Sequence, residues 1–391
     1  MSLLKTLSYI FIIFFIFELV IFLMINFFRG KIPWIITNDD EYPIFDKKKI
    51  KSFFNKTFDA HLGWNWKPNT KHEEKIFLKT NKIFFGALGE RKNIKNKKKI
   101  YDFATFGDSF VFCRYVKNDE TWQEQLSKLN ISNGLNFGVG NYGLDQTYLK
   151  YTNTKLPKSV KNIFIGFVPE TLSRCLCSWK HYHEFNNIYA FKPKFKIFKR
   201  KLNFIDNPIK NIHSFENIKK IIKIIKNKEF FYKEKFIKYK LFFPYSFSVT
   251  REAKYNLKLF YYSALKILNI NNNKIYEFII KNNCVANDSY YLNRRNKQLI
   301  KKIMLKIIEK SKNKKHKTFF LIFPQKYDLL LKKRNYHNFF SILKKNFNII
   351  DFTEIFEKYD IDKIYLPDQY GAHLSAYGNK IVANTLSEKL N

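Results

Sequence analysis

Apolar positions along this chain follow two rhythms. Residues 7–28 are an almost unbroken run of Ile, Phe, Leu and Val, 22 positions long. As a helix, that is enough to cross the hydrocarbon core of a bilayer. No small-residue cleavage site follows, since the chain continues FRGKIPW, so residues 1–30 read as an uncleaved signal anchor. Glu18 falls in mid-span, where a charge calls for a helix partner or a protonated carboxyl. From residue 100 onward, short apolar runs of strand character take over, at 100–106, 135–137, 162–167, 318–323 and 347–350. Helical spacing around 121–129 and 145–151 separates the first three runs. This alternation predicts a parallel sheet with crossover helices.

Between the third and fourth runs, from about Cys175, the strand rhythm stops. Segments 218–225, 255–268 and 297–309 carry apolar residues on one helical face and Lys on the other. Residues 190–312 are therefore expected to form a mainly helical insertion, placed like a lid. The leader, 31–99, has turns and short strands around FDAHLGWNWKPN. Within it, KPNTKHEE around His72 reads as a solvated turn and RKNIKNKKK from Arg91 as a solvated linker. The final helix, 375–390, begins at Ser375, a residue suited to cap it. The expected organisation is an anchor (1–30), a leader (31–99) and an α/β domain (100–391) interrupted by the insertion.

Charge changes this picture little. The net charge is +38, but only nine of the 71 basic residues are Arg, and the Lys are spread along the whole chain. No finger, homeodomain or RNA-binding signature accompanies them, so nucleic acid is not the expected partner. A solvated basic surface instead favours anionic lipid or an acidic glycan. The four cysteines, Cys113, Cys175, Cys177 and Cys284, have neither zinc-ligand spacing nor the density of a disulfide scaffold. In CSWKHYHEF, His181 and His183 alternate beside Glu184 without a further ligand, so no metal and no cofactor is expected. Trp179 and Tyr182 of the same stretch are candidates to line a sugar or acyl site, with a packed aromatic loop as the plain alternative.

The chemistry concentrates in two stretches. In YDFATFGDSFVFCRY, a buried strand ends on Gly107-Asp108-Ser109. In an open parallel sheet, sites form beyond the carboxyl ends of the strands, which is where Ser109 falls. In LPDQYGAHLSAYGNKIVANTL, His373 precedes the last helix and Asp368 stands five residues upstream. A hydroxyl, a base to take its proton and a carboxylate to orient the base are the parts of a nucleophilic triad.

With these residues the chain resembles the SGNH (GDSL-like) hydrolases, whose four sequence blocks occur here in order. FGDSF matches the nucleophile block with Ser109, and DQYGAHLSAYGN matches the last block with His373. NFGVGNYGLDQ matches the second block. There a glycine N–H of the family helps bind the oxyanion, and Asn141, preceded by Gly140, stands in its place. IFIGFVPETLSR occupies the third block, with Glu170 where the family has an Asn side-chain donor. The family's Asp-x-x-His is stretched to five residues between Asp368 and His373. The resemblance implies a flavodoxin-like three-layer α/β/α sandwich and serine-dependent, metal-free esterase or acyl-transfer chemistry. Ser109, His373 and Asp368 would be catalytic, and Ser109, Asn141 and Gly140 would form the oxyanion hole. HLGWNWKPN also resembles the leader of membrane-anchored bacterial members associated with surface polysaccharides. The expectation is thus an inner-membrane enzyme, its globular part in the periplasm, acting on an acylated carbohydrate or lipid-linked saccharide. A non-catalytic relative that binds or scaffolds polysaccharide assembly is the second expectation, prompted by Glu170. Because a carboxylate facing an oxyanion is unfavourable, Glu170 is expected to turn away and pair with Arg174 at i+4.

Overall fold

The computed structural model describes residues 3–76, 79–92, 100–130, 133–367 and 372–390. Five parallel strands form the central sheet: β1 (Phe103–Gly107), β2 (Gly134–Gly138), β3 (Asn162–Phe167), β4 (Lys317–Ile322) and β5 (Ile349–Asp351). Their order is 2-1-3-4-5, the doubly wound arrangement whose strand order reverses between β1 and β3. Register is continuous across the middle: Phe106 faces Phe137 on β2 and Ile165 on β3, and Ile165 faces Phe320 on β4.

The strands read as unbroken apolar runs because both faces are covered. Alternate side chains feed two separate cores. Ala104, Phe106, Ile163, Ile165, Phe167, Phe320 and Ile322 pack on one side, against the helices Leu144–Asn153, Arg294–Asn313 and Asn335–Leu343. Phe103, Phe164, Phe319 and Leu321 pack on the other, against Trp122–Asn130 and Ala376–Leu390. This is a three-layer α/β/α sandwich. The last helix starts where its capping residue stands, with the Ser375 hydroxyl accepting the Gly378 N–H at 3.1 Å.

The insertion between β3 and β4 is mostly helical, with one antiparallel hairpin at Lys194–Phe198 and Lys201–Ile205. The first helix of the chain, α1 (Leu3–Arg29), is long and apolar enough to cross a membrane. In the leader, KHEEK is not a solvated turn. It is the strand Lys71–Ile76, paired with Lys79–Phe84, and its period of two turns His72 and Glu74 toward the protein while Lys71, Glu73 and Lys75 stay exposed. Arg91 is likewise no part of a solvated linker: it is 6% exposed.

Candidate active site

At Gly107 the chain turns from β1 straight into a one-turn helix, α2 (Ser109–Phe112). Two glycines permit this close approach. A Cβ on Gly107 would lie 1.9 Å from the carbonyl oxygen of Gly166, and one on Gly138 would lie 2.1 Å from the backbone nitrogen of Phe112. Asp108 caps α2 through the N–H of Phe110 (2.9 Å). Its other oxygen accepts the N–H of Val168, just past β3, at 2.9 Å. One fully buried carboxylate thus ties the ends of β1 and β3 across the reversal point. Burial pushes the Asp108 carboxyl up, and the Arg174 guanidinium 3.3 Å away pulls it back.

Ser109 Oγ lies 2.9 Å from Nε2 of His373, across 264 residues of sequence. The backbone around the imidazole is held by short pairings: Leu366 N–H donates to the His373 carbonyl and Ser375 N–H to that of Ile364, both at 2.8 Å. The rings of Phe110 and Tyr115 flank it, with centroids at 5.4 and 5.5 Å. Both Ser109 and His373 are buried. Asp368 lies outside the described residues.

Asn141 adopts φ +65°, a left-handed conformation that Asn tolerates better than most residues. The Gly140 carbonyl accepts the Trp64 indole N–H at 3.0 Å. Gly140 and Asn141 line a cavity of about 380 Å³, whose wall also includes Phe112 and Arg114, just past Ser109, and Trp64 and Trp66 from the leader. Glu170 is turned toward Arg174, as the i+4 spacing implied, with Nη2 to Oε2 at 2.7 Å. Burial alone would raise the Glu170 carboxyl, but Arg174, Lys180 and Lys235 outweigh it and hold it below the usual range.

No protein-family model and no curated relative matches the chain. Among solved structures it is similar to a protein of Desulfitobacterium hafniense DCB-2 assigned to the G-D-S-L family of lipolytic proteins. The match covers 73% of this chain and 98% of that one, at 9% identity and a TM-score of 0.33.

Two sequence candidates are displaced by the structure. Trp179 and Tyr182 are 0% and 1% exposed and are not among the residues that line the cavity. Trp179 stacks on Phe191 and donates its indole N–H to the Ile188 carbonyl, and Tyr182 packs on Tyr232 and Phe236. The aromatic residues that do line the cavity are Phe53, Trp64 and Trp66 from the leader, with Phe112 and Tyr189. His183 sits between Glu170 and Glu184, with one donor atom from each within 4.8 Å of the others. Arg174 and Lys180 already bond the two carboxylates, at 2.7 and 2.5 Å. The cluster is a buried ion-pair network, and burial drives the His183 imidazole well below its ordinary value. His181 donates Nε2–H to the Asp40 carbonyl (2.8 Å) and accepts the Asn186 N–H at Nδ1 (3.2 Å). Cys113 is buried, and its thiol is pushed up to about 12, far from a reactive thiolate.

Arg91 and Glu74 were not legible as site residues. The Arg91 guanidinium gathers the carbonyls of Phe112, Cys113 and Val116 at 2.7–2.8 Å, clamping the loop that follows Ser109. Glu74 accepts the N–H of Tyr115 at 3.1 Å and lies 3.6 Å from Arg114, so it fixes the ring that flanks His373. Only the alternation of KHEEK, with Glu74 two residues past His72, hinted at an inward face.

Proposed function

We propose that the protein is a membrane-anchored serine esterase or O-acyltransferase of the SGNH (GDSL-like) type, acting on an acylated glycan or lipid-linked saccharide. One observation carries the reading: a serine hydroxyl and a histidine Nε2, 2.9 Å apart, at the carboxyl end of β1 beside the reversal of strand order, where doubly wound sheets place their sites. Ser109 Oγ attacks the acyl carbonyl while His373 takes its proton. His373 then returns that proton to the leaving alcohol as the carbonyl re-forms, giving an acyl-serine that water or a second alcohol cleaves by the reverse sequence. Asp368 is the proposed orienting acid, and the main-chain N–H groups of Ser109 and Asn141 (beside Gly140) are the proposed oxyanion donors. Supporting this, Asn141 holds a positive φ and the Glu170 carboxylate is engaged by Arg174 rather than free to repel a developing negative charge. The adjoining cavity has an aromatic wall with a few polar and charged groups of both signs (Arg114, Lys180, Glu74), a lining that suits a polar, sugar-like group. We place α1 in the inner membrane and the globular part in the periplasm.

The test is fluorophosphonate labelling of the detergent-solubilised full chain. Wild type should label, and Ser109→Ala and His373→Ala should not. Labelling that persists in Ser109→Ala refutes the assignment. A folded wild type that never labels favours the second reading, a non-catalytic relative in polysaccharide assembly, for which Glu170 at the family's Asn position is the specific motive.

A further inference from the structure

The insertion carries ten consecutive uncharged residues, LFFPYSFSVT at 241–250, in a stretch otherwise dense in Lys. Lys238 and Lys240 precede them, and Arg251 and Lys254 follow. In the fold this segment does not lie on the α/β sandwich. It lies against α1. Glu18, Ile21 and Ile25 are the buried residues of α1, and Ile21 and Ile25 share a core with Leu241, Leu259 and Phe260 of the insertion. The Phe22 and Tyr245 rings are 5.4 Å apart. The Glu18 carboxylate accepts the backbone N–H groups of Tyr245 and of Ser246, the latter at 3.0 Å.

Length then fixes the depth, once α1 is taken as a membrane span. Residues 3–17 of α1 precede Glu18, and fifteen residues of helix rise only ~22 Å, short of the ~30 Å hydrocarbon core. The turns from Glu18 onward must therefore also lie in lipid. Their outward face fits that requirement, since Leu19, Val20, Leu23 and Phe27 are all apolar and exposed. With Arg29 at the boundary, Glu18 lies eleven residues in, or ~16 Å, close to mid-bilayer. Whatever touches Glu18 is at the same depth.

We propose that residues 241–250 form a wedge that enters the hydrocarbon beside α1, so that the protein holds the bilayer by two elements. Phe243 and Phe247 are more than half exposed in the protein, and lipid acyl chains would cover both. Backbone polar groups in lipid must find partners within the protein, and here several do. Glu18 takes Tyr245 and Ser246, the Ser248 hydroxyl takes the Phe242 N–H at 3.1 Å, and the Ile36 carbonyl takes the Leu241 N–H at 2.8 Å. At the wedge's upper edge the Arg251 guanidinium gathers the carbonyls of Ile237, Lys238 and Lys240 at 2.7–3.1 Å. This arrangement also explains the mid-span carboxylate: Glu18 is the acceptor for the turn at the tip of the wedge.

The test is depth-dependent quenching in vesicles of phosphatidylcholine and phosphatidylglycerol, with an environment-sensitive fluorophore on Phe243→Cys and on Phe247→Cys in the full chain. All four native cysteines are buried, and an unlabelled wild type checks that they do not react. Val20→Cys in α1 and Ile342→Cys, exposed on the sandwich, serve as lipid and water references. Positions 243 and 247 should follow Val20, with a nitroxide deep on the acyl chain quenching at least threefold more than one on the headgroup, and with iodide ineffective. Quenching of 243 and 247 by iodide, as at 342, with Val20 still quenched by the deep probe, overturns the wedge and leaves the span intact. Loss of deep quenching at Val20 as well overturns both.

Discussion

Arg174 is the residue through which the acidic groups around Ser109 tolerate burial. Its side chain is 5% exposed and touches Glu170 at 2.7 Å, Asp108 at 3.3 Å and the Tyr142 carbonyl at 3.3 Å. Replacing it with Met keeps most of the volume and removes the charge. Two carboxylates are then left without their main counter-ion, Asp108 completely buried and Glu170 nearly so. Breaking a buried pair from one side costs about 3–5 kcal/mol, and at about 2–4 °C per kcal/mol for a domain of this size the midpoint should fall by roughly 6–20 °C. Glu170→Gln is the contrasting change. The amide still accepts a bond from Arg174, which also keeps Asp108, so the loss should be about 1–2 kcal/mol. Thermal unfolding in detergent reads the stabilities, and the second-order rate of fluorophosphonate labelling reads the site. Glu170→Gln should label within a few-fold of wild type, against the roughly 10²–10³-fold loss that follows removal of an oxyanion donor. A thousandfold drop for Glu170→Gln at unchanged stability would show that Glu170 acts on the reacting atoms. Wild-type stability in Arg174→Met would show that the network is not holding the turn.

Gly138→Ala should be among the most damaging single changes, because its Cβ would meet the backbone of α2 at 2.1 Å. We expect a loss of more than about 2 kcal/mol with labelling impaired, and a labelled, wild-type-stable variant would contradict the close approach. Burial holds the His181 imidazole at about 4, against an ordinary 6.5. The unfolded chain therefore binds this proton first as pH falls, and stability is full above pH 6.5 and declines toward pH 4. At 1.36 kcal/mol per unit the contribution is about 3 kcal/mol. Denaturant unfolding at pH 7 and 4.5 should show a shallower decline in His181→Gln, and equal slopes would refute the neutral, buried state. For sidedness, a C-terminal alkaline phosphatase fusion should be active and a green fluorescent protein fusion dark. The reverse pattern would put the domain on the cytoplasmic face.

Much of this protein is written locally, where the cause is local. Runs such as TFFLIF can be stable only with both faces covered, so a parallel sheet between helices follows from them. A Gly-Asp-Ser at the end of the first run places a hydroxyl at the sheet's carboxyl edge. The i+4 spacing of Glu170 and Arg174 brings them together on any helical turn, and Ser375 caps the helix it precedes. What the sequence left open is whatever depends on a partner distant in the chain. Aromatic residues make up 18% of the chain, so nothing local marks Trp179 and Tyr182 as core and Trp64 and Trp66 as cavity wall. Packing against Phe191 and Phe236 decides it. KHEEK and Arg91 read as solvated because charge normally is. Glu74 and Arg91 are buried only because the loop after Ser109 offers them an N–H and three carbonyls at hydrogen-bond distance. Glu18 is the same case in α1. Its place in the chain marks it as costly, and only the insertion, more than 200 residues away, supplies the N–H groups that make a carboxylate there tolerable.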